Sequence, residues 1–200
     1  MIKVIKGVLK GGPPNIKRWD KPRVRYFKGK KIEGRPTKGY GTSPFDYAGK
    51  LYEPVQWTTS IKIIKMATEL LVYKELNKVV KFSFCLCGLY KTGKVFIPHH
   101  SDTVPTLDDY VVGVSFGAPR ILEWNQYPYQ IKRESNTSEI NIQNYYHDSF
   151  GDKYLETTRY LIEDGDVYIF DGHSQMNSTH AIPTIENVGE RTNLTFRTGL

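Results

Sequence analysis

Two segments far apart in the chain carry residues that could hold a metal. The stretch IPHHSDTVP sets His100 and Asp102 two residues apart, so on an extended backbone the imidazole and the carboxylate share a face. Much later, QMNSTHAIP supplies His180. Two histidines and one carboxylate cap one face of an octahedral iron(II) and leave positions open for substrate and oxygen. No piece is specific alone: H-x-D occurs by chance, and His99, His147 and His173 show that the chain has other histidines.

A second pattern lies eleven residues beyond His180. In ERTNLTFR, alternate residues of a strand would set Arg191, Asn193, Thr195 and Arg197 on one face and Thr192, Leu194 and Phe196 on the other. A buried guanidinium is costly unless paired, and its planar fork matches a carboxylate bidentately. The row therefore suits a strand that faces a pocket for a dicarboxylate, and a metal triad beside such a pocket points to iron with 2-oxoglutarate. Read by itself, the strand better fits an edge strand with its polar face in water and its apolar face on the core.

These residues need a scaffold that brings distant strands together. TTSIKIIKMATELLVYKEL, Thr58 to Leu76, predicts one amphipathic helix, with Ile61, Ile64 and Leu71 and also Ile63, Met66 and Leu70 as its apolar positions. Strand signals follow in KFSFCLCGLY, YVVGVSFG, RILEW and RTNLTFR, and RYLIEDGDVYIF reads as two runs joined by an Asp164–Gly165 turn. Between Trp124 and Lys153 lies a polar, Asn- and Tyr-rich insertion of low pattern. Short strands separated by turns favour a jelly roll over a βαβ fold. The expected fold class is mainly β with a flanking helix (α+β).

Charge divides the chain unevenly. Residues 1–50 hold 14 Lys/Arg against 3 Asp/Glu, a balance of +11, while the whole chain of 200 residues carries +7. Trp19, Tyr26, Phe27, Tyr40, Phe45 and Tyr47 interleave with those basic residues, a mixture suited to phosphates and stacked bases or to a solvated basic arm. We divide the chain into a basic segment and lid, 1–57, and a core, 58–200. Cys85 and Cys87, two apart in a strand, point the same way and read as reduced core thiols. The chain has no apolar run of membrane-spanning length and no secretory pattern at its start, so an intracellular protein, cytoplasmic or nuclear, and a monomer are expected.

Taken in order, these motifs resemble the AlkB family of iron(II)/2-oxoglutarate-dependent dioxygenases. CGLYKTGKVFIPHHSD is similar to the family's N-x-Y-x-x-G…W-H-x-D segment, VVGVSFGAPRILEW to its V-S-x-G strand, and LIEDGDVYIF to its G-D-[LV] strand. HAIP resembles its last histidine ligand, and RTNLTFR fits R-x-N-L-T-F-R. KPRVRYF, GYGTSPFDYAG and EPVQW look more loosely like its nucleotide-recognition lid. The resemblance implies a double-stranded β-helix core with an N-terminal lid. It implies iron on His100, Asp102 and His180, and 2-oxoglutarate on Arg191 with help from Tyr90 and Asn193. Arg197 would sit at the metal end of the row. Dioxygen is the co-reactant, and the implied reaction is oxidative demethylation of N-alkylated bases in DNA or RNA, on a single strand or a flipped base. Arg23, Arg25, Tyr26, Tyr40 and Tyr47 are the implied substrate contacts.

Several positions depart from the family pattern. Gly88 stands where the family usually has asparagine, and Thr103, Val104 and Pro105 follow Asp102 where acidic residues are common. Asp108 and Asp109 are conceivable replacements from further along the loop. His99 replaces a tryptophan, and Ser178 an aromatic residue. Two other readings stand beside the first: a dioxygenase acting on a protein or small molecule, and a nucleic-acid-binding module without catalysis.

Overall fold

The computed structural model describes residues 2–22, 24–27, 30–47, 50–102, 104–131 and 156–198; for 25–27, 30–33, 46–47 and 50 it describes the backbone alone. In chain order the elements are β1 (Lys3–Ile5), β2 (Val24–Phe27), β3 (Lys30–Glu33), β4 (Thr37–Gly41), β5 (Phe45–Tyr47), β6 (Lys50–Tyr52), α1 (Thr59–Leu76), β7 (Phe84–Tyr90), β8 (Ile97–His100), β9 (Tyr110–Gly117), β10 (Arg120–Gln126), β11 (Glu156–Ile162), β12 (Val167–Asp171), α2 (Gly172–Gln175), β13 (Ser178–Ile182) and β14 (Arg191–Arg197). A six-stranded sheet runs β1-β12-β9-β14-β7-β4, and a four-stranded sheet runs β11-β10-β13-β8. Every strand pairing in the two sheets is antiparallel, as the jelly-roll expectation requires. The pairs β2–β3 and β5–β6 form separate two-stranded ribbons.

The larger sheet is covered on both sides, and its strands β7 and β9 are accordingly apolar almost throughout. All of β7, FCLCGLY, is buried. On the outer side, Cys85, Cys87, Val112, Val114, Leu194 and Phe196 pack with Ile61 and Val72 of α1. Each such fully buried Leu or Phe contributes about 1.5–3 kcal/mol. Between the sheets, Tyr90, Val111, Tyr168 and Phe170 meet Leu122, Trp124 and Ile182. Cys85 and Cys87 are free and buried, as expected.

Helix α1 starts at a Thr58 cap, whose side chain accepts from the Ile61 N–H, and stops at Asn77 in the left-handed region. Only one of its two expected apolar stripes faces the core. Ile61 is buried and Ile64 and Leu71 pack against the core, while Ile63, Met66 and Leu70 are exposed. The Asp164–Gly165 turn also differs from a simple hairpin: β11 before it lies in the smaller sheet and β12 after it in the larger. The turn carries the chain from one layer to the other, with Gly165 at φ +77°.

Residues 1–57 contribute to the main framework as well as to the ribbons. β1 and β4 are the two edge strands of the larger sheet. Lys3 pairs with Glu75, Lys6 with Glu163 and Asp166, and Lys38 with Asp20, so part of the basic charge fastens this segment down. Most of the polar insertion lies outside the described residues. Among the described residues no helix is long and apolar enough to cross a membrane.

Candidate metal and cosubstrate site

β8 and β13 are antiparallel neighbours, and their register sets His180 directly opposite His100. Asp102 follows two residues after His100, just beyond the strand. The three side chains are buried, and one ligand atom from each lies within 4.8 Å of the others. His100 Nδ1 is 3.0 Å from the Pro98 carbonyl oxygen, which can only accept. Nδ1 therefore carries a proton, and Nε2 lies 3.5 Å from Asp102 Oδ1. His180 Nε2 lies 3.7 Å from Asp102 Oδ2. The His180 ring stacks on Trp124 at 5.8 Å and leans on Phe170 at 5.0 Å. Burial, reinforced by the facing His100, pushes the His180 imidazole well below its ordinary pKa and keeps it neutral. Burial acts to raise the Asp102 carboxyl, but Arg197 and the two histidines together hold it well below the usual range. Two imidazoles and one carboxylate are the donor set that iron(II) takes.

Asp102 is positioned by Gln175, which sequence patterns did not reveal, and by Arg197, which they did. Its N–H donates to Gln175 Oε1 at 2.6 Å, and Ser101 Oγ donates to the Gln175 carbonyl. Gln175 closes α2, a single turn whose Asp171 and Ser174 form a capping box. Arg197 Nη2 donates to Asp102 Oδ2 at 3.2 Å, and its guanidinium lies 4.7 Å over the Phe45 ring. The acids expected further along the loop are used elsewhere. Asp109 turns back onto Thr106, and Asp108 is exposed beside His173. His99, next to the triad, bonds Thr179 and Glu123 instead.

The remainder of the β14 row faces the interior. Its register on β7 sets Arg191 against Tyr90, Asn193 against Gly88 and Arg197 against Phe84. Arg191 is 1% exposed. Its Nε donates to Ser115 Oγ at 2.7 Å and its Nη2 to Asn193 Oδ1 at 2.6 Å, while Nη1 is buried with no hydrogen-bond partner among the described residues. Tyr168 also donates to Asn193 Oδ1, at 3.0 Å. The Tyr90 ring lies within reach of three guanidinium groups: Arg191 at 4.8 Å, Arg35 at 5.3 Å and Arg120 at 6.0 Å. Arg120 is fully buried and donates to the carbonyls of Pro119 and Gly189. Burial and the positive charge of Arg191 lower its pKa from the usual value. Among the described residues neither Arg120 nor Arg191 forms an ion pair with a carboxylate. Two buried cations without a counter-ion make a place for an anion.

Of the residues expected to contact substrate, Tyr40 lies in β4 and is 3% exposed, packed in the core with Ile61, Cys85 and Cys87. Its ring anchors an edge strand and is not open to a base. Arg23 and the side chains of Arg25, Tyr26 and Tyr47 lie outside the described residues.

The model of the 2OG-Fe(II) oxygenase superfamily matches residues 15–197. The chain belongs to that superfamily. Within it the similarity is to AlkB-type proteins. The chain is 30% identical over 169 residues to alpha-ketoglutarate-dependent dioxygenase alkB homolog 3 of Bos taurus, with 82% of this chain and 51% of that protein covered. The Homo sapiens protein of the same name is 28% identical over 168 residues, again with 82% and 51% covered. The chain thus spans about half the length of the curated relatives it matches. The solved structure of OsALKBH1 superposes with a TM-score of 0.61 at 18% identity, covering 98% of this chain and 96% of that one, a likeness of fold. The superfamily's cofactors are iron(II) and 2-oxoglutarate, with dioxygen as co-reactant, and the His100–Asp102–His180 set fits the metal.

Proposed function

We propose that this chain is an AlkB-type dioxygenase that removes alkyl groups oxidatively from nitrogen atoms of nucleic-acid bases. One observation carries the reading: a buried His100–Asp102–His180 set is tied through Arg197 to a strand that also holds Arg191, a buried cation without a carboxylate partner among the described residues.

In this reading His100, Asp102 and His180 hold iron(II), and Arg191 receives the far carboxylate of 2-oxoglutarate. With dioxygen, those two groups supply the oxidising power that hydroxylates an N-alkyl carbon, which then leaves as an aldehyde. The chain's own residues prepare that chemistry. The Pro98 carbonyl fixes the His100 tautomer. Gln175 and Arg197 hold the Asp102 segment and its charge. Ser115 and Asn193 aim the Arg191 fork. Trp124 and Phe170 keep one flank of His180 dry.

The nucleic-acid substrate rests on the sequence resemblance and on the +11 balance of residues 1–50. The target base has to leave its stack to reach a buried centre. The readings as a protein or small-molecule oxygenase, or as a module without catalysis, are not favoured; nothing about an inert module accounts for an intact buried donor set. The test is iron(II)-loaded protein with 2-oxoglutarate, oxygen and methylated single-stranded DNA and RNA oligonucleotides. Succinate release matched by loss of one modified nucleoside is expected. Iron-loaded protein that yields neither would overturn the reading.

A further inference from the structure

Gly88 occupies the position where the family pattern has asparagine, and the structure shows what fills the space. β4 pairs with β7 so that Thr37 faces Gly88, and the Leu89 N–H donates to the Pro36 carbonyl at 2.9 Å. Continued two residues, that register sets Arg35 opposite Tyr90, with both side chains on the face shared by Arg191. The Arg35 side chain lies along the gap at residue 88. A Cβ there would overlap its Nε and stand 2.9 Å from its Cδ. Arg35, just before β4, and Arg191, in β14, thus reach the same Tyr90 ring from the two sides of β7, at 5.3 Å and 4.8 Å.

We infer that Arg35 is a cosubstrate-binding residue of this chain, a cation that supplies carboxylate-binding hydrogen bonds through the space left by Gly88. The inference rests on the 2-oxoglutarate reading above and deepens it. Three features carry it. The residue that would close the gap is reduced to a hydrogen atom. The group entering the gap is a guanidinium, whose fork suits a carboxylate. It joins Arg191 and Arg120, buried cations that lack a carboxylate partner among the described residues. An asparagine at residue 88 and an arginine at residue 35 would compete for one volume, so this chain exchanges a neutral donor for a charged one. A further consequence is that the segment leading into the edge strand β4, from the N-terminal quarter, helps complete the cosubstrate pocket.

The test is anaerobic binding of 2-oxoglutarate to the iron(II)-loaded protein, followed by the metal-to-ligand charge-transfer absorbance and by calorimetry, with no turnover. Arg35→Gln is expected to weaken binding roughly tenfold to a hundredfold, the range for a charge-assisted hydrogen bond. Its iron affinity and melting temperature should match those of the parent. Gly88→Ala should weaken 2-oxoglutarate by displacing Arg35, and should do nothing further in the Arg35→Gln background. Parental affinity in Arg35→Gln, or full additivity of the two substitutions, would overturn the assignment while leaving the cosubstrate reading intact. Failure of the parent protein to bind 2-oxoglutarate would overturn both.

Discussion

Arg197 Nη2 lies 3.2 Å from Asp102 Oδ2, and each side chain is 3% exposed. Two segments 95 residues apart therefore meet in a buried ion pair whose anion is also a metal-ligand candidate. Removing one partner of such a pair leaves the other charge stranded, at a cost of about 3–5 kcal/mol. Arg197→Met is expected to destabilise the metal-free protein by about that amount. A bound divalent cation would compensate part of the stranded Asp102 charge, so the loss should shrink on metal loading. Urea unfolding of both forms checks this, and equal losses with and without metal would contradict it.

The acid response of the metal-free protein follows from the same cluster. His180 and Asp102 both have folded-state pKa values below their ordinary ones. As pH falls, the unfolded chain takes up these protons first, so the stability each group contributes is present above its ordinary pKa and lost below it. For His180 the loss begins near pH ~6.5, and for Asp102 near pH ~3.9. Denaturation midpoints should hold above neutrality and begin to fall through pH about 6. His180→Gln should flatten that first part of the fall. A midpoint that is flat between about pH 7 and 5 in the parent would show that the imidazole is not held neutral.

The alternation of RTNLTFR told which face of β14 was polar, and the structure turns that face inward. The bounds of β14 were legible for the same reason, because a period of two is a local property, and those of β9 because it is a short, nearly continuous apolar run. Other features depend on contacts that no period encodes. Arg120 and Gln175 matter through their carbonyl and N–H partners, and Arg35 through a gap at Gly88 in a strand distant in sequence. The Asp164–Gly165 turn was visible, but a turn does not reveal whether its two strands share a sheet. Tyr40 shows the limit of composition: an aromatic among basic residues served the core, not a base.

Gln175 is a positioning residue for the metal site. Its Oε1 accepts the Asp102 N–H at 2.6 Å, at the end of a turn fixed by the Asp171 capping box. Outer partners of metal ligands change metal affinity by roughly 10- to 100-fold when removed. Gln175→Ala should weaken cobalt(II) binding by that factor while leaving the cobalt site's spectrum recognisable. Gln175→Glu retains the acceptor oxygen and should recover much of the affinity. Unchanged cobalt affinity in Gln175→Ala would remove it from the site.

Gly113 makes the last case, because its missing side chain is filled by a neighbour that reaches the cosubstrate row. It sits directly opposite Tyr168 in the β9–β12 pairing, and a Cβ on it would fall within the Tyr168 ring. That ring delivers its hydroxyl to Asn193, the same oxygen that accepts from Arg191 Nη2. Gly113→Ala must displace the ring, with an overpacking cost of about 1–3 kcal/mol. The displacement also withdraws a donor from Asn193 and loosens the aim of Arg191. Tyr168→Phe removes only the hydroxyl and should cost about 1 kcal/mol. Both variants should weaken 2-oxoglutarate binding, whereas only Gly113→Ala should show the larger fall in stability. If Tyr168→Phe leaves 2-oxoglutarate affinity untouched, the hydroxyl has no part in aiming Arg191, and the tyrosine serves packing alone.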